Sequence, residues 1–162
     1  MSLPIAGKPH PQEPATHQPL DLDRLMKLGV AVEDAAEEAD AEVVTIEMLE
    51  ELGEEMGVAP GHLLAAAVMT TDLQIARDDG VNFVVCAGGC QGWGALDRID
   101  ELLAIRRQRA EAGKALFGVC AKNCLDKCQQ APAVFVHGPD GAAVIDQATR
   151  GKIEDAVAEL LE

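Results

Sequence analysis

The sequence predicts an α/β protein in which a helical segment precedes a small domain of mixed strands and helices. Two changes near residue 80 carry that prediction. Before it, apolar residues recur at helical spacing; after it, short β-branched or aromatic runs alternate with helical stretches. The charge changes at the same place: residues 1–80 hold 17 acidic and 4 basic side chains, giving −13, whereas residues 81–162 hold 11 and 9, giving −2. A chain of 162 residues supports one core, with room for a helical annex but not for a full second domain.

Residues 1–20 contain five of the eight prolines among His and Gln and can bury little, which predicts a disordered tail. Residues 21–79 form the helical segment. Leu22, Leu25, Met26 and Leu28, followed by alanine and glutamate, predict a helix over 21–40. Thr45 caps a second helix running to about Gly53, with Ile46, Leu49 and Leu52 on one side. Pro60 suits the first turn of a third, whose stripe of Leu63, Leu64, Ala67 and Val68 continues toward Ile75. Residues 80–162 are the mixed domain. Val81 to Val85 is a buried strand ending at Cys86. A helix follows through Leu96, Ile99, Leu102 and Leu103, with Arg106, Arg107 and Arg109 at its negative dipole end. Ala115 to Cys120 is the second strand, Ala133 to Val136 the third, and Ala142 to Ile145 the fourth, entered through the turn residues Pro139-Asp140-Gly141. Thr149 caps a last helix with Ile153, Ala156, Val157, Leu160 and Leu161 on one face. Strand, helix, strand, loop, strand, strand, helix is the element order of a thioredoxin-like domain, and of other small α/β folds as well.

Composition narrows the function. No apolar run approaches the roughly 20 residues that span a bilayer, and the proline-broken first 20 residues lack the pattern of a secretory signal. A soluble, cytoplasmic protein is expected. The net charge of −15 and the scarcity of aromatics (Phe83, Phe117, Phe135 and Trp93) argue against nucleic acid. Five cysteines in a reducing compartment are poor material for a disulfide framework, so metal ligation or redox chemistry is the better reading.

Cys86 and Cys90 are separated by three residues after the first strand, and Cys124 and Cys128 by three after the second. Two loops at the same ends of two strands thus each offer a thiolate pair. Four thiolates suit a [2Fe–2S] or [4Fe–4S] cluster and structural zinc alike. Zinc ribbons and thiol–disulfide motifs prefer two intervening residues, and no histidine lies close enough for mixed ligation; His137, at the exit of the third strand, is read as a surface residue. Cys120 and Cys124 are also separated by three residues, so Cys120 competes for a place in the set. It is expected instead to end its strand as a small apolar side chain. Gly88, Gly89, Gly92 and Gly94 let the first loop wrap closely or simply turn, and no phosphate-loop pattern accompanies them. Trp93 is read as a shield or packing aromatic, and Lys122 and Lys127 as flanking cations.

The run Cys124-Leu125-Asp126-Lys127-Cys128-Gln129-Gln130-Ala131-Pro132, followed by a strand, resembles the second cluster loop of the thioredoxin-like [2Fe–2S] ferredoxins. It is similar to that of the small [2Fe–2S] subunit of NADH:quinone oxidoreductase. Gly94-Ala95 after Cys90, the helix opening at Thr149, and the two helices around Gly57-Val58-Ala59-Pro60 extend the resemblance over about residues 45–162. Three features depart from the family: its first pair is commonly separated by four residues, its usual glycine within the second pair is Asp126 here, and an aromatic expected before the last helix is replaced in the Ala142–Ile145 strand. The place of Pro132 selects Cys124 and Cys128 over Cys120. The resemblance implies a one-electron carrier in which Cys86, Cys90, Cys124 and Cys128 bind a [2Fe–2S] cluster, with no catalytic residue of its own. It also implies a redox protein partner, either a flavin-bearing subunit of an NAD-linked dehydrogenase or hydrogenase complex, or a second copy in a free homodimeric ferredoxin. A structural zinc domain that binds partners and a thiol–disulfide redox protein are the competing expectations.

Overall fold

The computed structural model describes residues 21–87, 94–122 and 132–161. The expected tail over residues 1–20 lies outside them. Asp21 caps α1 (Leu22–Glu38) by accepting from the Arg24 N–H at 3.0 Å. A short strand, β1 (Val43–Val44), leads to α2 (Ile46–Met56), which Thr45 caps as expected through the Met48 N–H. α3 (Pro60–Thr70) follows. It ends earlier than its apolar stripe suggests, because Gln74–Ile75 form β2, a parallel partner of β1. This two-stranded sheet was not expected inside the helical segment.

The second sheet has four strands in the order β4-β3-β5-β6, where β3 is Asn82–Cys86, β4 Gly118–Lys122, β5 Val134–Gly138 and β6 Gly141–Ile145. β3 and β4 are parallel, connected through α4 (Ala95–Glu111); β5 runs antiparallel to β3, and β6 to β5. α5 (Arg150–Leu161) closes the chain, with Thr149 accepting from the Lys152 N–H. β4 lies two to three residues later than predicted. Ala115 to Phe117 precede the strand, and pairing begins where Gly118 meets Asn82. Phe117 is nevertheless buried, its ring edge-on to Phe83 at 5.0 Å.

Strand alternation puts Phe83, Val85, Val119, Ala121, Val134, Val136 and Ile145 on one face of this sheet. They belong to a continuous core with Ile99 and Leu102 of α4 and Ile153, Ala156 and Val157 of α5. That core extends without a break into the helical segment, because α3 is apolar all round: Leu63 through Ala67 are fully buried. α3 is therefore the joint between the annex and the sheet.

Its amino terminus shows how closely the joint fits. Ala59 offers α3 no side-chain cap. The cap comes instead from Asp100 of α4, whose Oδ1 accepts from the Gly61 N–H at 2.8 Å. A Cβ at Gly61 would meet that same oxygen, so glycine is what lets the two helices approach. Arg24 of α1 donates to His62 Nδ1 at 3.0 Å, and His62 Nε2 lies 3.7 Å from Asp100 Oδ2. Arg109 stands in the last turn of α4 as expected, and the basic residues there also make specific bonds. Arg106 donates to the Phe117 carbonyl and pairs with Glu47 of α2, while Arg109 is buried, donating to the carbonyls of Ala115 and Leu161.

Burial pushes the Asp100 carboxyl above its ordinary pKa, against the opposing effects of the Gly61 N–H and His62. Asp100→Ala should cost about 1–2 kcal/mol in urea denaturation at pH 7, as expected for a lost cap over a part-buried N–H. Asp100→Asn keeps an acceptor and removes the charge. A raised folded pKa means that the carboxyl's contribution is fully present below its unfolded value of about 3.9 and is lost as pH rises through the folded one. The Asn variant should therefore gain on the native protein between about pH 4 and 7, and show no gain at lower pH. Equal losses for both variants at pH 7 would contradict the capping role.

Candidate metal centre

Of the four candidate ligands, Cys86 lies among the described residues; Cys90, Cys124 and Cys128 lie outside them, as do Gly88, Gly89, Gly92, Trp93, Asp126, Lys127 and Ala131. Among the described residues no group of three or more His, Cys, Asp or Glu side chains is placed to hold a metal. What the structure does define is the frame around Cys86.

Asn82-Phe83-Val84-Val85-Cys86 is buried along its whole length, because β3 is central in its sheet. Cys86 ends that strand at 1% exposure. Its main chain is held from both sides. On one side it stands in register with Lys122, the last residue of β4, and the Ala87 N–H extends the ladder to the Lys122 carbonyl at 2.6 Å. On the other, the Cys86 N–H donates to the carbonyl of Ala133, just before β5, at 3.3 Å.

The chain segment 123–131 thus departs from one neighbour of Cys86 and returns to the other. Segment 88–93 departs from Cys86 itself and returns at Gly94, which begins α4 with φ 90°, a left-handed conformation that suits glycine. α4 has no side-chain cap there. Pro132 is buried, and its carbonyl accepts from the Ala148 N–H at 2.7 Å, tying the return of the second segment to the start of α5.

Cys120 sits differently from the expectation that it ends its strand. β4 continues two residues beyond it, and its register partner is Val84. By strand alternation its side chain shares the sheet face of Cys86, one diagonal step away. A strand spacing of about 4.8 Å and a two-residue rise of about 6.6 Å put the two Cα atoms about 8 Å apart. That is beyond the roughly 7 Å a disulfide bridges. Cys120 is 6% exposed. Burial pushes its thiol pKa up, and a hydrogen bond and the positive charge of Arg77 offset part of the rise. Arg77 was not anticipated: an isolated basic residue in an acidic segment carries no signal of a partner 43 positions later. Of the remaining expected groups, His137 is exposed on β5 as anticipated, its ring edge-on to Phe135 at 6.3 Å, and Lys122 is exposed beside Cys86.

A raised pKa keeps Cys120 protonated at neutral pH, and the thiolate is the species that reacts. In the native protein Cys120 should therefore alkylate with iodoacetamide more slowly than an unfolded-state cysteine at pH 7.5. Mass spectrometry of the modified peptides should show the lag shrinking as pH is raised. Labelling as fast as in urea would contradict this placement. No protein-family model matches the sequence, and no curated protein shows significant similarity to it.

Proposed function

We propose that the chain is a one-electron carrier holding a [2Fe–2S] cluster through Cys86, Cys90, Cys124 and Cys128 on a thioredoxin-like domain. The observation that carries this reading is that the described residues on either side of segment 123–131 flank Cys86, Lys122 on one side and Ala133 on the other. Cys124 follows Lys122 by two residues and Cys90 follows Cys86 by four. Covalent reach therefore confines their Cα atoms to about 7 Å and about 14 Å from those anchors. These limits leave both cysteines within reach of the frame around Cys86. A set of four thiolates fits an iron–sulfur cluster.

The strand order supports the thioredoxin-like reading, since a helix-connected parallel pair followed by an antiparallel hairpin and a terminal helix is that arrangement. When bound, the cluster would accept and release one electron. The chain's own contributions are separate from that chemistry. Cys86 is a ligand on rigid backbone. Lys122, in register with it, would bring a positive charge to a cluster held there. The start of α4 at Gly94, which brings no side-chain cap of its own, would set the positive end of a helix dipole beside the first segment. The proposed electron partner is a flavin-bearing subunit of an NAD-linked dehydrogenase or hydrogenase complex, on the resemblance of Cys124 to Pro132. No helix among the described residues is long and apolar enough to cross a membrane.

Anaerobic purification after expression with iron tests the proposal. The expected product is coloured and contains about two irons and two sulfides per chain. Serine at Cys86, Cys90, Cys124 or Cys128 should lose or markedly perturb the visible spectrum, whereas Cys120→Ser should retain it. A colourless protein with about one zinc per chain and no iron would establish the zinc alternative instead. Loss of the cluster in Cys120→Ser but not in Cys128→Ser would reassign the second pair.

A further inference from the structure

We infer that the outward side of α1 is a docking surface for a basic amphipathic helix of a partner protein, an inference independent of the metal centre. α1 has two apolar faces. Leu25, Leu28, Val32 and Ala36 are all 5% exposed or less and form part of the common core. Leu22, Met26 and Val30 recur at every fourth residue on another side and are 60%, 61% and 55% exposed. With a rise of 1.5 Å per residue the three cover about 12 Å of one stripe. They are three of the five large apolar side chains found exposed among the described residues, so the stripe is not the isolated apolar residue ordinary on a surface.

The same side of the helix continues as Glu33 and Glu37, flanked by Asp34 and Glu38. All four are exposed, and none forms an ion pair among the described residues. Glu37 and Glu38 stand in the last turn, which contains no basic residue, so they face the negative end of the helix dipole. This electrostatic cost is relieved by a cation from outside. Apolar for its first two turns and acidic for its last two, the face complements a helix with an apolar stripe of the same spacing and Lys or Arg beyond it. A second copy of this chain fits poorly. It brings the same carboxylates and a net charge of −15.

The test uses the full chain and a fluorescent synthetic helix with leucine at every fourth position followed by lysines, read by anisotropy. A scrambled peptide of the same composition separates docking from bulk charge attraction. Binding should weaken by about tenfold or more for the scrambled peptide, for the double variant Met26→Gln and Val30→Gln, and for Glu33→Gln with Glu37→Gln, circular dichroism staying unchanged. Equal affinity for both peptides, or no effect of the Met26 and Val30 substitutions, would overturn the inference. So would a concentration-dependent dimer in sedimentation that those substitutions abolish, which would assign the stripe to a second copy. Binding that emerges only after removal of residues 1–20 would assign it to the chain's own amino terminus, and also overturn it.

Discussion

Because β3 runs between a parallel and an antiparallel neighbour, its last residue has main-chain partners on both sides, and everything proposed for the metal centre depends on that arrangement. The parallel partner brings Lys122 level with Cys86, and the antiparallel one brings Ala133 to its N–H. A parallel pair needs a crossover, which α4 supplies, and both strands then end at the same edge of the sheet. A cysteine on either connecting segment starts within a few residues of Cys86. Were β4 antiparallel to β3, the segments after the two strands would leave from opposite edges of the sheet.

The helical segment bears on the same frame through α4. That helix touches α2 through Arg106 and α3 through Asp100, while its other side packs on the sheet that positions Cys86. The ion pair from Arg106 to the exposed Glu47 adds little by itself, since solvent screens it. The continuous apolar core around α3, and the close approach that Gly61 allows, do more to join the annex to the sheet. A change at this joint can reach the frame around Cys86 through α4, whose first residue follows Gly94, and through β4, on which α3 also packs.

Elements with a cap and a sustained period were legible in the sequence. Thr45 and Thr149 open helices where their hydroxyls can accept a backbone N–H, and the run Val81 to Val85 reads as a buried strand ending at Cys86, as β3 does. Less local features were not. β1 and β2 are two residues each, too short for any period to register. β4 was displaced because Leu116 and Phe117 are as apolar as a strand, although Phe117 is buried against Phe83 from outside the ladder. The cap that Asp100 provides to Gly61 spans 39 positions, and the contact of Arg77 with Cys120 spans 43; neither leaves a mark on local spacing. For the candidate site, the paired cysteines carried the expectation of a shared metal, and three of the four lie outside the described residues. The structure adds the placement of Cys86 and Cys120 on one sheet face and the roots of both segments around Cys86.

Electron paramagnetic resonance of the dithionite-reduced, anaerobically prepared protein tests the central claim most directly, because it reports the cluster type and its redox activity together. The account predicts a signal integrating to about one unpaired electron per chain, appearing on reduction and disappearing on reoxidation. An iron-loaded protein that gives no such signal, or a chain that takes up zinc and remains silent, would contradict it.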